Sequence, residues 1–236
     1  MSAGIVPIRP KVLFKKIEER FPDRNVGFKV NIPSSEIGGM TLLESAVLVS
    51  LITLFDSRHL FEFGTFRGAT TLLLAENTAD DARITTLDIP KENAPGLAGD
   101  ASKVLSSGDD NDAFLRQRFL AEDAPCIHRA PADVRAKITQ RYQDSTTLDP
   151  DAQGLVGGFD FLFIDGGHDL ETIRIDTRNA LAMAKPDAVV AWHDYGSKIH
   201  GDVTTFLDEY SRSQRVYDVE NTMVAFQLLG RFADGF

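Results

Sequence analysis

Five short apolar runs, each with an acidic residue at its carboxyl end, constrain what this 236-residue chain can fold into. The runs are His59–Phe63, Arg83–Asp88, Lys137–Tyr142, Phe159–Asp165 and Ala188–Trp192. Their ends carry Glu62, Asp88, Asp144, Asp165 and Asp194 in turn. Helical patterns follow at Ala69–Asn77, Leu170–Ala184 and Asp202–Ser211. A continuous apolar run such as Phe159 to Ile164 suits a parallel strand buried on both faces. Near the end, Arg215–Glu220 and Thr222–Leu229 flank Asn221 like an antiparallel hairpin. The pattern predicts an α/β protein: a Rossmann-like, doubly wound, mostly parallel seven-stranded sheet with a C-terminal antiparallel hairpin. Such sheets bind ligands beyond the carboxyl ends of their strands, where these carboxylates stand.

The turn after the first run is the most specific local signal. In Glu62-Phe63-Gly64-Thr65-Phe66-Arg67-Gly68, two glycines four apart lead into a helix, so backbone N–H groups can approach a ligand closely. The Glu62 carboxylate would repel a nucleotide phosphate and attract a cationic amino group. Asp88, 24 residues beyond Gly64, is placed to accept hydrogen bonds from a ribose diol. Together they point to a cationic, ribose-bearing ligand such as S-adenosylmethionine. A nicotinamide oxidoreductase would need Gly-x-Gly-x-x-Gly, and the spacing here is Gly64-x-x-x-Gly68.

Bulk properties exclude other classes. A net charge of −10 argues against nucleic acid and anionic membrane surfaces as partners. Cys126 is the single cysteine, so no internal disulfide can form, which fits a cytoplasmic protein. Met1 to Pro10 lacks the apolar core of a signal peptide. The apolar stretch Leu42 to Phe55 is broken by Glu44, Ser45, Ser50 and Thr53 and reads as a core helix rather than a membrane span. Thr41 as N-cap with Glu44 three residues later opens that helix. A single domain is expected over residues 1–236. Residues 1–39 form an N-terminal helix (Lys11–Arg20) and loop cap, which offers a homodimer surface. Residues 90–136, with an acidic patch and a helix-like run at Ala113–Glu122, form an insertion or lid between the second and third strands.

On these motifs the chain resembles class I S-adenosylmethionine-dependent methyltransferases, in particular small-molecule O-methyltransferases of the macrocin and catechol type. The resemblance runs from Gly38 to Leu229. It implies that Glu62, Gly64, Thr65 and Gly68 cradle the methionine part of the cofactor, that Asp88 holds the ribose, that Asp144 and Ser145 reach the adenine edge, and that Ile89 and Asp165 also bind the cofactor. The commoner pattern has glycine where this chain has Phe66. Phe163-Ile164-Asp165-Gly166-Gly167-His168, followed by His193-Asp194, resembles the branch in which the fourth-strand Asp and a later acidic pair hold Mg²⁺ (or Mn²⁺). The metal set would be Asp165, His193 and Asp194, although His193 is a softer ligand than a carboxylate. Asp165 and His168 would be catalytic, His168 as base toward the hydroxyl of a small molecule such as a sugar, phenol or natural product. A module of the same fold that binds without catalysis is the alternative. His59, His128 and His200 show no partner in the sequence and read as structural.

Overall fold

The computed structural model describes residues 4–31, 38–93, 99–234 and 236. Of the loop read at 31–39, residues 32–37 lie outside the described residues, as do 94–98 of the insertion. The helices are α1 (Pro10–Arg20), α2 (Leu42–Leu54), α3 (Ala69–Glu76), α4 (Gly108–Ala121), the single turns α5 (Pro125–His128) and α6 (Ala132–Arg135), then α7 (Leu170–Met183), α8 (Gly201–Tyr210) and α9 (Arg231–Asp234). The strands are β1 (Ile5–Ile8), β2 (His59–Phe63), β3 (Arg83–Asp88), β4 (Ile138–Tyr142), β5 (Phe159–Ile164), β6 (Ala184–Trp192), β7 (Val216–Val219) and β8 (Ala225–Leu228). They form one sheet in the order β1-β7-β8-β6-β5-β2-β3-β4. All neighbours are parallel except β8, which runs antiparallel to β6 and β7.

The strand order reverses between β2 and β5: from β2 the chain winds outward through β3 and β4, then returns to β5 and winds the other way through β6. That makes the β2–β5 seam the switch point, where open α/β sheets hold ligands. Both faces of the sheet are covered. Phe161 and Phe163 of β5 pack with Leu13, Leu48 and Leu51 on one face, while Leu162 and Ile164 pack with Ile173, Trp192 and Leu207 on the other. Burying each such side chain is worth about 1.5–3 kcal/mol, so the central strands carry most of the cohesion.

The sheet has eight strands, one more than the sequence pattern counts. The extra strand is β1, paired in parallel with β7 from Ile5↔Val216 to Ile8↔Val219. Its four residues include Pro7, which cannot donate to a ladder and is tolerated only at a sheet edge, where β1 lies. The capping box of α2 forms as its sequence requires: Glu44 N–H donates to Thr41 Oγ1 at 3.2 Å and Thr41 N–H to Glu44 Oε2 at 2.7 Å. Between β3 and β4 the helix α4 starts five residues earlier than its apolar run indicates. Ser107 caps it by accepting from Asp110 N–H, and Asp109 and Asp110 of the acidic patch favour the positive end of the helix dipole. No described helix is long and apolar enough to cross a membrane.

Gly64 makes the seam possible. Its φ is +93°, and a Cβ there would overlap the Asp165 carbonyl oxygen and carbon. Gly64→Ala should therefore destabilise the protein by about 2–4 kcal/mol, from left-handed backbone strain and overpacking together. Urea denaturation measures this. A loss below about 1 kcal/mol would mean that the strand ends can move apart freely.

Candidate active site

A cavity of about 660 Å³ opens over the carboxyl ends of β2 to β6, within the size range of small-molecule sites. Nine residues singled out from the sequence line it: Gly64, Asp88, Ile89, Asp144, Ser145, Asp165, His168, His193 and Asp194. Helix α4 contributes Asn111, Leu115 and Phe119 to the wall, so the insertion borders the cavity.

Three residues expected to touch the ligand are not among those that line the cavity. Thr65 is buried with its hydroxyl on Thr86 Oγ1 at 2.7 Å, and Gly68 turns the chain into α3 against Ile127. Glu62 is the clearest correction. Its side chain turns away from the cavity and accepts hydrogen bonds from the Thr71 and Thr86 hydroxyls. Burial pushes its carboxyl up to about 8 against these two bonds, and the nearby charges of Asp165 and Asp88 add to the rise. A neutral, inward-facing carboxyl can neither repel a phosphate nor attract an amino group. The sequence shows its position at the strand end but not the side on which its side chain lands.

Asp88 is held at the mouth of the β3 strand by backbone donors. Phe66 N–H donates to Oδ2 at 2.7 Å and Ile89 N–H to Oδ1 at 2.8 Å. A carboxylate has about four acceptor positions, so each oxygen keeps room for one more donor, the arrangement a vicinal diol needs. Phe66 itself has φ +47°, a left-handed conformation that favours glycine. The glycine usual at this position in the resembling family and the phenylalanine here serve the same turn, at some strain in this chain. Asp144 caps the turn Ser145–Thr147, its Oδ1 accepting from Thr146 N–H and Oγ1 at 2.9 and 2.7 Å.

At the ends of β5 and β6 two histidines are clamped among carboxylates. His168 Nδ1 lies 2.9 Å from Asp112 Oδ1, and its Nε2 lies 3.2 Å from Asp194 Oδ2. Burial alone would depress His168, but these two hydrogen bonds and charges override it and raise the ring to about 10. His193 Nδ1 stands 3.3 Å from Asp165 Oδ1 and 3.4 Å from Asp194 Oδ2, and its Nε2 stands 3.6 Å from Glu44 Oε1. The last distance is an ion pair but too long for a hydrogen bond. Burial again opposes the charge on His193, and the surrounding carboxylates hold it well above its ordinary value. Asp194, despite burial, is lowered by both rings, and Glu44 is lowered to about 2. In the ion-free protein these carboxylates favour the imidazolium form of both rings, and in that form His168 offers no lone pair for the role of base.

The donor atoms of Asp165, His168 and Asp194 lie within 4.8 Å of one another. The structure thus adds His168 to the expected set, since His193 Nδ1 also stands against both carboxylates, with its other nitrogen toward Glu44. Glu44, Asp112 and His200 were missed as site residues. Glu44 looked complete as a helix cap, and Asp112 and His200 meet only through tertiary packing: the His168 and His200 rings stack at 3.7 Å and His200 Nε2 lies 3.2 Å from Asn111 Oδ1.

Residues 61–195 match the family described as "Methyltransferase domain". The chain belongs to the methyltransferase-domain family. The matched span runs from within β2 to just past β6 and contains both clamped histidines. Among solved structures, the O-methyltransferase TomG from Streptomyces achromogenes, involved in tomaymycin synthesis and in complex with SAM, aligns with TM-score 0.51 and 16% identity over 93% of this chain and 90% of that chain. SAH-bound Podospora anserina methyltransferase PaMTH1 aligns with TM-score 0.54 and 13% identity over 98% of this chain and 90% of that chain. The O-methyltransferase from Bacillus cereus, in complex with SAH, gives TM-score 0.50 and 15% identity over 93% and 90%. At these identities the likeness shows the fold. No curated protein matches the sequence.

In this methyltransferase domain the inward turn of Glu62 has a pH signature. A carboxyl whose folded pKa of about 8 exceeds its unfolded value near 4.5 binds more protons in the native state. Its contribution to stability is therefore full below the unfolded pKa and is lost as pH rises toward 8. Glu62→Gln should flatten the fall in urea midpoint between pH 5 and 6.5, below the range where the His168 term changes. An unchanged slope in the variant would mean that Glu62 is ionised in the folded protein.

Proposed function

We propose that this protein transfers a methyl group from S-adenosylmethionine to a hydroxyl of a small molecule. The observation that carries the reading is the Asp88 carboxylate, fixed by two backbone donors with acceptor positions left for a ribose diol. The family membership supports methyl transfer, and the SAM and SAH complexes of TomG and the Bacillus cereus enzyme support the cofactor and the oxygen acceptor.

The cofactor supplies an electrophilic methyl group on its sulfonium. The chain's task is then orientation and removal of the acceptor's proton. Gly64 lets the backbone approach the methionine part, Asp88 holds the ribose, and Asp144 and Ser145 border the adenine. The acceptor hydroxyl meets the β5–β6 edge. There, with no ion bound, Asp165 is the group that takes the proton, because the carboxylates around His168 and His193 favour their protonated forms. Their positive charges orient that carboxylate and favour a developing oxyanion nearby.

A divalent ion fits the same edge. Two carboxylates and an imidazole with donor atoms within 4.8 Å form a mixed N,O set, which suits Mn²⁺ better than Mg²⁺. Asp165, Asp194 and His168 Nε2 would hold it, and its contribution would be to lower the pKa of the acceptor hydroxyl. Within this reading residues 90–136 act as a lid and residues 1–39 as the cap of a single domain. Phe14 and Phe28, both partly exposed on the N-terminal segment, offer a homodimer surface. A cytoplasmic protein without nucleic-acid or membrane partners fits the acidic composition.

Asp88→Ala should weaken S-adenosylhomocysteine binding by roughly tenfold or more, since losing hydrogen bonds to a charged group costs about 1.5–3 kcal/mol. Calorimetric titration of wild type and variant provides the measurement. Equal affinity in both, or tight binding of NAD by the wild type, would rule the reading out.

A further inference from the structure

His168 belongs to two clusters of metal-ligating side chains, Asp165–His168–Asp194 and Asp112–His168–His200. The second holds two imidazoles and a carboxylate, but its rings cannot serve one ion together. The His168 and His200 planes stack at 3.7 Å with an angle of 23°. The lone pairs of imidazole nitrogens lie in the ring plane, so in this stack they run side by side instead of converging. In the first cluster no such conflict arises. His168 Nε2 faces Asp194 Oδ2 at 3.2 Å, while the opposite nitrogen, Nδ1, faces Asp112 Oδ1 at 2.9 Å. Metal-bound histidines almost always donate their second N–H to a carboxylate or carbonyl, which fixes the tautomer and the ring orientation.

We propose that Asp112, carried by α4 of the insertion, is the positioning residue that fixes His168 as a ligand of the divalent ion, so that ion binding and docking of the insertion are coupled. The inference rests on the ion site of the proposed function. On binding, the ion replaces the proton on His168 Nε2, which leaves to solvent, while Nδ1–H stays on Asp112. Asn111, the residue before Asp112, bonds to His200, whose ring backs that of His168. Helix α4 therefore meets the ion site through two successive side chains. Coupling of this kind is reciprocal: if a docked α4 raises ion affinity, the ion must favour the docked α4.

Mn²⁺ titrated into the full chain without cofactor tests this. Asp112→Ala should bind Mn²⁺ about 10–100-fold more weakly, the usual effect of removing such an outer partner. Asp112→Glu should recover most of the loss, and Asp165→Ala should abolish measurable binding. His200→Phe keeps the ring stack but loses the Asn111 bond, so it should weaken Mn²⁺ binding by clearly less than Asp112→Ala. In hydrogen exchange, Mn²⁺ should slow the α4 amides of the wild type but not of Asp112→Ala. S-adenosylhomocysteine affinity, measured on each protein, separates this inference from the cofactor reading and reports folding. If Asp112→Ala loses that affinity, Asp112→Asn, which keeps the shape without the charge, reads the same effect. Wild-type Mn²⁺ affinity in Asp112→Ala would overturn the proposal. So would an equal loss in His200→Phe, which would move the ion to the other cluster, or no Mn²⁺ binding by the wild type.

Discussion

Two imidazolium rings among four carboxylates hold the working end of this sheet together. His193 ties Glu44 of α2 to Asp165 and Asp194, and His168 ties Asp194 to Asp112 of the insertion. Four separate stretches of chain meet through these contacts. A buried charge is costly unless paired, and each imidazolium is paired more than once, so the cluster fixes one geometry even where its net contribution to stability is small. The cavity depends on that geometry. Its floor is the close β2–β5 seam at Gly64, and its far wall is the insertion docked on His168 and His200.

The same charges decide the chemistry. A histidine beside an acceptor is read as a base by default, because its ordinary pKa lies near neutrality. Here each ring is gripped by carboxylates that favour its positive charge, and the proposed mechanism therefore leaves proton acceptance to Asp165. The half of the cavity proposed for the cofactor is built by different means. Asp88 is oriented by backbone N–H groups alone, and Phe66 accepts a left-handed conformation to supply one of them.

Much of this was legible in the sequence. The five runs with acidic ends give the five parallel strands β2 to β6, because the apolar period and the turn residues are local properties. Asp88 and Gly64 were readable for the same reason: the spacing from a glycine turn to the next strand end is short-range information. What depends on side-chain direction was not. Glu62 occupies the expected place but faces Thr71 and Thr86 instead of the cavity. His168 joins His193 beside Asp165 and Asp194, which only the rotamers decide. Asp112 and His200 are 88 residues apart and carry no motif, so only the folded insertion brings them together. Strand β1 was hidden by Pro7 and by pairing with β7, near the other end of the chain.

The central claim is that both clamped histidines are cations in the resting protein. Nitrogen-15 NMR of histidine-labelled, metal-free protein at pH 8 tests it most directly, because the two ring nitrogens of an imidazolium give similar shifts and those of a neutral ring differ widely. The account predicts that His168 and His193 both appear doubly protonated at pH 8, with His200, depressed by burial and by the charge of His168, neutral beside them. A neutral His168 at that pH would contradict it and return the ring to the role of base.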